Sequence, residues 1–572
     1  MTKNQEISDI FNAIADILEF KGENRFRIRA YRRAALSIAN LSSAIETLDG
    51  KKAFLEIPGI GSDLADKIMQ YLETGKVAEY EKLKKTVPAQ VSELMRIPGV
   101  GPKLAKSIQQ RFRVKNIREL QKLARAGKLL ELPHFKEKMQ ENILKGINIL
   151  QRSKEQFLLS EALTLSERVL AYLKTIPSVT ECETAGSLRR RKEVIHDIDI
   201  VVATKNAAKA VKEISHYEGI SQVLAQGSKK ISVILKEGIQ LDVRMVRPQE
   251  FGAALVYLTG SKAHNITIRE RAVRMGYKIN EYGVFNKKGK CVASAREADV
   301  YKAIGLAYIP PEMREDRGEV DAALEGTLPA LITKEDIISD LHVHSRYSDG
   351  LATIEEVALQ AKAHGLRYIA ICDHSQSLVI AHGLSEKRLL EKIREIDTLN
   401  KKNLGIRILK GAEVDILSDG SLDYPDALLE QLDFVVAAIH TGFKQSKEKI
   451  TERIVKAMHN KHTNTIAHPS GRLIGERDPY EVDMEAVIRA ARATNTALEI
   501  NAFPKRLDLT DVYCKRAKEE GVKFSIGTDS HMTDQMRFLE LGASVARRGW
   551  LEKKDVLNTL PLKDFFYAID KA

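Results

Sequence analysis

From residue 336 onward, short apolar runs end again and again on a residue able to bind a metal: His342, His344, Asp349, His374, Glu413, His440, His468, Asp529 and His531. Ten of the chain's 14 histidines lie in this part, so the concentration itself needs an account. In Ile338-Ser339-Asp340-Leu341-His342-Val343-His344-Ser345 the two imidazoles stand two positions apart, and side chains two apart on a strand share a face. The same punctuation follows in 368–374, 408–413, 434–440 and 465–468, and closes with Phe524-Ser525-Ile526-Gly527-Thr528-Asp529-Ser530-His531. Helical patterns such as Thr353-Ile354-Glu355-Glu356-Val357-Ala358-Leu359 come after the runs, which predicts a β/α barrel gathering polar strand ends on one rim. One histidine alone is usually a hydrogen-bonded core or surface residue, and His364, His382, His459 and His462, in helical or loop patterns, keep that reading. Repetition at equivalent strand ends removes it for the others. A mixture of imidazole and carboxylate suits Zn²⁺, Mn²⁺ or Fe²⁺, with Glu413 or Asp349 bridging two ions, and clustered ions activate water while clamping a phosphoryl oxygen.

Charge divides the chain. Through residue 320 there are 55 Lys+Arg against 39 Asp+Glu, whereas residues 321–572 have 35 against 39, for an overall formal charge of +12. A positive field confined to the front half points to an anionic polymer held there. The chain is long enough for several cores. Cys182, Cys291, Cys372 and Cys514 lie far apart in no paired spacing, which favours a reducing compartment. The N-terminus lacks a signal-peptide pattern and no apolar run is long enough to cross a bilayer, so a cytoplasmic, nucleoid-associated monomer is expected.

An internal repeat says what kind of polymer. Leu55-Glu56-Ile57-Pro58-Gly59-Ile60-Gly61-Ser62-Asp63-Leu64-Ala65 recurs as Met95-Arg96-Ile97-Pro98-Gly99-Val100-Gly101-Pro102-Lys103-Leu104-Ala105. Each copy reads as a helix-hairpin-helix turn in which Gly59 and Gly61, or Gly99 and Gly101, let backbone N–H groups approach a nucleic-acid phosphate without regard to base sequence. Leu132-Pro133-His134-Phe135-Lys136 keeps the proline without the glycines and reads as a degenerate structural copy.

The front half carries a second set of carboxylates. Ala185-Gly186-Ser187-Leu188-Arg189-Arg190-Arg191 precedes His196-Asp197-Ile198-Asp199-Ile200-Val201-Val202, where Asp197 and Asp199 share one strand face while Ile198, Ile200 and Val202 take the other. Asp242, in Gln240-Leu241-Asp242-Val243-Arg244-Met245-Val246, alternates in the same way and can lie alongside. Three converging carboxylates can hold two Mg²⁺ or Mn²⁺ ions, one for a 3′-hydroxyl and one for an incoming triphosphate. Gly186 and Ser187 would lay N–H and hydroxyl donors on the phosphates, and Arg190 would neutralise the leaving pyrophosphate. A lone Asp-x-Asp is commonly an edge-strand pair; the upstream Gly-Ser and the downstream Asp242 change that reading.

On these motifs residues 336–572 resemble a PHP (polymerase and histidinol phosphatase) domain, and residues 1–318 resemble a family X DNA polymerase. The combination is similar to that of the bacterial and archaeal family X enzymes. The resemblance implies an α-helical N-terminal region with helix-hairpin-helix motifs, an α+β nucleotidyltransferase palm and a C-terminal α/β distorted (β/α)7 barrel. It implies divisions at 1–85, 86–152, 153–250 and 251–318, a linker at 319–335 and the barrel at 336–572. By the same resemblance Tyr257-Leu258-Thr259-Gly260-Ser261, His264-Asn265 and Arg269 belong to the nucleotide-binding subdomain: Tyr257 packs on the sugar, His264 stacks on the base, Asn265 touches the minor-groove edge and Arg269 the template. Lys67 matches the Schiff-base amine of relatives that cleave abasic sugars, with Tyr31 and Arg32 as phosphate-pocket neighbours. Phe26 stands where a histidine helps bind the 5′-phosphate, and Asp63 replaces a lysine, which weakens gap anchoring.

The expected function is short-gap filling on DNA with dNTPs in repair, with a Zn²⁺ or Mn²⁺ cluster in the barrel degrading 3′ ends or incising abasic sites. Two other readings are a DNA clamp that serves the nuclease and a polymerase joined to a small-molecule phosphatase. Pro310-Pro311-Glu312-Met313-Arg314-Glu315-Asp316-Arg317-Gly318-Glu319 marks the boundary between the halves, its prolines and charges reading as a linker, or else as side chains that pin the last palm element.

Overall fold

The structure, a computed structural model, describes residues 3–571 apart from 40–44, 49, 56, 58, 89–90, 92–93, 96, 98–99, 133–134, 138, 142, 145–146, 148–155 and 476. Its front part is helical. Helices Lys3–Lys21 and Arg25–Ala39 pack through Ile7, Phe11, Ile14 and Leu18 on one side and Tyr31, Ala34, Ala35 and Ile38 on the other, each set at helical three-and-four spacing. Helix Ser62–Thr74, which starts directly after Gly61, adds Leu64, Ala65 and Ile68 to this core. A second core builds on Val91, Leu94, Val100, Ala105 and Ile108, with helix Pro102–Phe112 starting after Gly101. Gly99 and the Pro133-His134 of the third copy lie outside the described residues.

The palm is a five-stranded sheet made by β1 (Val179–Thr184), β2 (Asp197–Thr204), β3 (Ile220–Gln226), β4 (Lys230–Leu235) and β5 (Gln240–Val246), in the order β1-β2-β5-β4-β3. Along β2 one face stays apolar through Ile198, Ile200 and Val202. The other changes from Asp197 and Asp199 to Val201 and Ala203, which helix Phe251–Thr259 covers with Phe251, Ala254 and Leu255. This change of polarity within one strand face leaves the carboxylates at the N-terminal end of β2, in the interior of the sheet, with a packed base beneath them. Helix Lys262–Arg274 and a three-stranded antiparallel sheet of β6 (Tyr277–Asn280), β7 (Gly283–Asn286) and β8 (Cys291–Ala293) follow.

The C-terminal part is a parallel seven-stranded sheet in sequential order: β9 (Ser339–Val343), β10 (Tyr368–Ile371), β11 (Arg407–Asp415), β12 (Phe434–Ala438), β13 (Thr465–Ile466), β14 (Ala497–Asn501) and β15 (Phe524–Gly527). β14 is not among the six runs recognised by their terminal ligands. The first and last strands meet through Asp529 N donating to the His342 carbonyl and His344 N donating to the Ser530 carbonyl, both at 2.9 Å. Buried Asn558 ties the other end, its Nδ2 donating to the carbonyls of Ser339 and Ile526 and its Oδ1 accepting from Ile526 N. Sheet closure of this kind brings seven strand ends to one rim.

The run at 310–335 is no free tether. Pro311–Met313 forms a single 3-10 turn, Glu319–Glu325 is a helix, and Ile332 N donates to the Leu551 carbonyl of the barrel. Arg314 is fully buried against Tyr301 and Tyr308 and bonds Glu297. Glu312 pairs with Arg547, Glu315 with Arg548 and Arg317 with Asp511. Of the charges that suggested a solvated linker, Glu312, Glu315 and Arg317 are therefore met by barrel residues more than 190 positions downstream, and Arg314 by Glu297 in the front half.

Candidate active sites

In the palm, β2 and β5 run parallel with Asp199 and Asp242 in register, and Asp197 lies opposite Gln240. Adjacent strands are about 4.8 Å apart, so three carboxylates share one small volume. Burial, followed by Asp197 and Asp242, pushes the Asp199 carboxyl up to about 7, and burial with Asp242 raises Asp197. Lys230 donates to Asp242 Oδ2 at 2.8 Å and Gln240 to its Oδ1 at 3.3 Å. Gly186 begins the short helical turn Gly186–Arg189 at φ +59°, and a Cβ there would lie 2.2 Å from Asp199 Oδ2, so only glycine lets the turn meet the carboxylates. Ser187 stands next to it, half-buried.

The nucleotide-binding candidates surround this turn unevenly. Arg190 donates to the Thr259 carbonyl and to Glu315 Oε1, and a Cβ on Gly260 would stand 3.3 Å from its Nη1. Tyr257 is exposed. Asn265 Nδ2 donates to the Tyr257 carbonyl at 2.7 Å while its buried Oδ1 has no partner, and Arg269 Nε donates to the Asn265 carbonyl. His264 does not stack on a base: it is fully buried, with Nδ1 bonded to Glu319 Oε1 at 2.7 Å and Nε2 to the Tyr301 hydroxyl at 2.9 Å. Glu319 belongs to the segment read as a linker, and that is why a local motif misplaces His264. Arg189, which the sequence reading passed over, forks onto Glu297 at 2.7 and 2.8 Å and bonds Thr259 Oγ1, fastening the turn to the next subdomain.

At the barrel rim the nine candidate ligands come together. Glu413, at the middle of the assembly, presents Oε2 to His374 Nδ1 at 2.8 Å, His342 Nε2 at 3.5 Å and His344 Nε2 at 3.6 Å. Its Oε1 faces His468 Nε2 at 3.0 Å and His440 Nε2 at 3.2 Å. Asp529 Oδ1 is 3.1 Å from His344 Nε2, and Asp349 Oδ1 is 3.2 Å from His531 Nε2. Three overlapping sets have the spacing of metal ligands: His344, Asp349, His374 and His531; His342, His344 and Asp529; His374, Glu413 and His440. Glu413 Oε2, His344 Nδ1, His374 Nδ1 and His468 Nδ1 are buried without a hydrogen-bond partner. His374 Nδ1 and Glu413 Oε2 are thus close without a bonding geometry, as two lone pairs directed at one cation would be.

Electrostatics agrees with that chemistry. Burial opposes a charged His374, yet Glu413 and Asp349 raise it to about 10; His440, equally opposed by burial, is raised to about 9 by Glu413 and Asp415. Burial with His374 and His531 holds His344 down at about 4, and burial with Arg506 does the same to His468. Protons therefore stand in for positive charge between the carboxylates, a role divalent cations can take.

Several residues that aim these ligands were not read from the sequence. His342 Nδ1 donates to Glu499 Oε1 at 2.6 Å and His440 Nδ1 to Asp415 Oδ1 at 2.7 Å, which turns each Nε2 to Glu413, where it carries a proton or could bind a cation in its place. Arg506 and Asn501 bond Asp529 Oδ2. Glu499 and Asn501 sit two apart on β14, the missed strand. Its run Ala497-Leu498-Glu499-Ile500-Asn501 carries the same-face polar pair that could have revealed it. Asp415 likewise lies two positions after Glu413.

In the helical front, Gly59 is at φ +90°, and nothing would crowd a Cβ on Gly61 or Gly101, so the starts of helices Ser62–Thr74 and Pro102–Phe112 are open. Lys67 lies 2.5 Å from Asp63 Oδ1 and 3.1 Å from Glu79 Oε2, the latter carboxylate also accepting from Tyr31 and Arg27. Arg32 faces Asp16, and Phe26 is exposed.

Family models match in the same order: a helix-hairpin-helix domain over 2–77, a SAM-like helix-hairpin-helix tandem over 79–148, a DNA polymerase beta thumb over 254–315 and a PHP domain over 340–506. The chain is 37% identical over 563 residues to the DNA polymerase/3′-5′ exonuclease PolX of Bacillus subtilis (strain 168), covering 98% of each. The barrel part is 32% identical over 235 residues to a probable phosphatase of Thermoanaerobacter sp. (strain X514), 39% of this chain and 91% of that protein.

Gly186→Ala places a methyl group against Asp199 and must displace the turn or the carboxylate. Primer extension should fall by about 100-fold or more, the effect of a displacement of about 1 Å at a reacting centre, while divalent-ion binding to the barrel, followed by calorimetry, stays unchanged.

Proposed function

The chain belongs to the family X DNA polymerases that carry a C-terminal PHP domain, and we propose that it fills short gaps at Asp197, Asp199 and Asp242 and removes 3′ nucleotides or incises abasic sites at the barrel rim. The observation that carries the polymerase reading is the register of Asp199 with Asp242 beside Gly186. The barrel reading rests on Glu413 facing five imidazoles with its two oxygens.

In the palm the three aspartates would hold Mg²⁺ or Mn²⁺. Bound there, such ions acidify a primer 3′-hydroxyl and offset charge on the triphosphate. The chain's own groups do the rest. Ser187 and the N–H groups of its turn receive the phosphates, Arg190 supplies a cation beside Asp199, and Tyr257 with Asn265 bounds the sugar and base. The open helix starts after Gly61 and Gly101 would hold the duplex backbone on either side of the gap.

At the barrel, His342, His344, Asp349, His374, Glu413, His440, His468, Asp529 and His531 would hold a Zn²⁺ or Mn²⁺ cluster, with Glu413 shared between ions. Such a cluster supplies a nucleophilic water at neutral pH and binds the scissile phosphate. Glu499 and Asp415 fix the tautomers of His342 and His440, and Arg506 holds Asp529 in place. The likeness of the barrel to a probable phosphatase favours a second reading, hydrolysis of small phosphomonoesters. Rates on a 3′-recessed duplex and on a free sugar phosphate separate the two.

Lys67 is engaged by two carboxylates, so attack on an abasic aldehyde requires it to leave both. A weak lyase is the reading this supports. Borohydride trapping on a 5′-deoxyribose phosphate end should be slight with the native chain and rise several-fold in Glu79→Gln. Strong trapping of the native chain would refute this.

Two further outcomes follow. Asp199→Ala should abolish nucleotide addition and spare 3′ degradation, Glu413→Gln should do the reverse, and parallel loss of both activities in either variant would contradict separate centres. Because the Asp199 carboxyl sits at about 7, protons compete with cations below that pH. The Mg²⁺ concentration for half-maximal extension should rise as pH falls from about 8 to about 6, approaching about tenfold per pH unit at the acid end. A flat dependence would exclude Asp199 as a ligand.

A further inference from the structure

Glu315 lies between the two catalytic parts, almost wholly buried, with three cations around it. Arg190 Nε and Arg548 Nη1 each donate to its Oε1 at 3.0 Å, and Lys192 Nζ stands 3.9 Å from Oε2. Arg548, at the end of barrel helix Leu539–Arg548, is 2% exposed. It also donates to the Arg190 carbonyl at 2.6 Å and to Asp511 Oδ2 at 2.6 Å, the oxygen that Arg317 reaches at 2.9 Å. A second barrel arginine, Arg472, forks onto Glu193 at 2.7 and 2.9 Å. With Glu540 of helix Leu539–Arg548 3.6 Å from Arg191, the barrel grips the palm turn 186–193 at three points.

Arg190 is occupied: its guanidinium serves Glu315 and the Thr259 carbonyl. Its Nε and Nη1 are the atoms so engaged; to turn these onto a triphosphate it must leave Glu315, and a buried carboxylate stripped of its partner is strongly disfavoured unless another cation remains. Arg548 is positioned to remain. We infer that Arg548, a residue of the nuclease domain, is a positioning residue of the polymerase: by neutralising Glu315 and holding the Arg190 carbonyl, it frees the Arg190 guanidinium for the phosphates of an incoming nucleotide. This rests on the reading of Arg190 as a triphosphate ligand. It makes the nucleotide site of the polymerase incomplete without the barrel.

The test is single-nucleotide extension by the full-length chain, with 3′ degradation measured in parallel. Arg190→Ala should raise the KM for dNTP. Arg548→Gln should raise it by about tenfold, the factor that loss of one hydrogen-bond-sized binding contribution gives, with kcat within about twofold and 3′ degradation unchanged. Arg548→Lys, which keeps the charge, should fall between Arg548→Gln and the native chain. The double variant Arg548→Gln/Glu315→Gln should return KM toward the native value, because nothing then holds Arg190 back. A raised KM in Arg190→Ala with a native KM in Arg548→Gln, or no recovery in the double variant, overturns the inference alone. A native KM in Arg190→Ala overturns the reading beneath it. Should Arg548→Gln not fold, Glu315→Gln by itself decides: a KM at or below native supports the inference and a raised KM refutes it.

Discussion

Repulsion between like charges forced into small volumes is the constraint around which both halves are arranged. At an effective dielectric of about 20, two unit charges 4 Å apart repel by about 4 kcal/mol, comparable to a large part of a domain's net stability. The strand period sets Asp197 beside Asp199, but only the parallel pairing of β2 with β5 brings Asp242 to them, and the apolar layer of Val201, Ala203, Phe251, Ala254 and Leu255 beneath it holds the pairing. At the barrel rim the same problem is met with a different donor set. Glu413 and Asp529 are surrounded by imidazoles, which can carry protons or ligate, whereas the palm offers oxygen and one lysine. Oxygen donors suit Mg²⁺ and imidazole-rich sets suit softer ions, so the two donor sets differ in the cations they favour.

Between them the chain uses charge to make contact rather than to avoid it. Arg472 joins Glu193 of the palm turn, its Nε donates to the Arg506 carbonyl, and Arg506 Nε donates to Asp529 at the rim. A continuous row of polar contacts therefore runs from the Gly-Ser turn to a candidate metal ligand. Contiguity alone is no evidence of signalling. What it supplies is a common frame: the turn and the rim are each held by groups that the other half provides.

How much of this could be read from the sequence depended on whether a residue's surroundings lay near it in the chain. The His-x-His and Asp-x-Asp pairs were legible because a strand's period of two is local, and the barrel followed because its runs repeat. β14 was missed because its polar residues, Glu499 and Asn501, are not histidines and its run ends without a conspicuous ligand. His264 was misplaced, and the charged strap at 310–319 stayed open between a linker and side chains that pin the last palm element, for one reason. Their partners Glu319, Arg547, Arg548 and Asp511 come from distant segments, and no window of sequence contains both ends of such a bond. The same applies to Glu79 beside Lys67, a carboxylate 12 positions away that changes what the lysine can do.

The uneven charge of the chain then acquires a physical role. Residues 321–572, with 35 basic against 39 acidic residues, carry no positive surplus to draw in a polyanion, and Asp349, Glu413 and Asp529 lie at the barrel rim. The front part, with 55 against 39, has that field and two helix starts open to phosphates. On the proposed function, a duplex held by the front part would meet the barrel at the high local concentration that tethering confers, without the barrel needing affinity of its own. The packed strap, in place of a flexible linker, fixes the separation of the two centres through Glu312, Glu315 and Arg317.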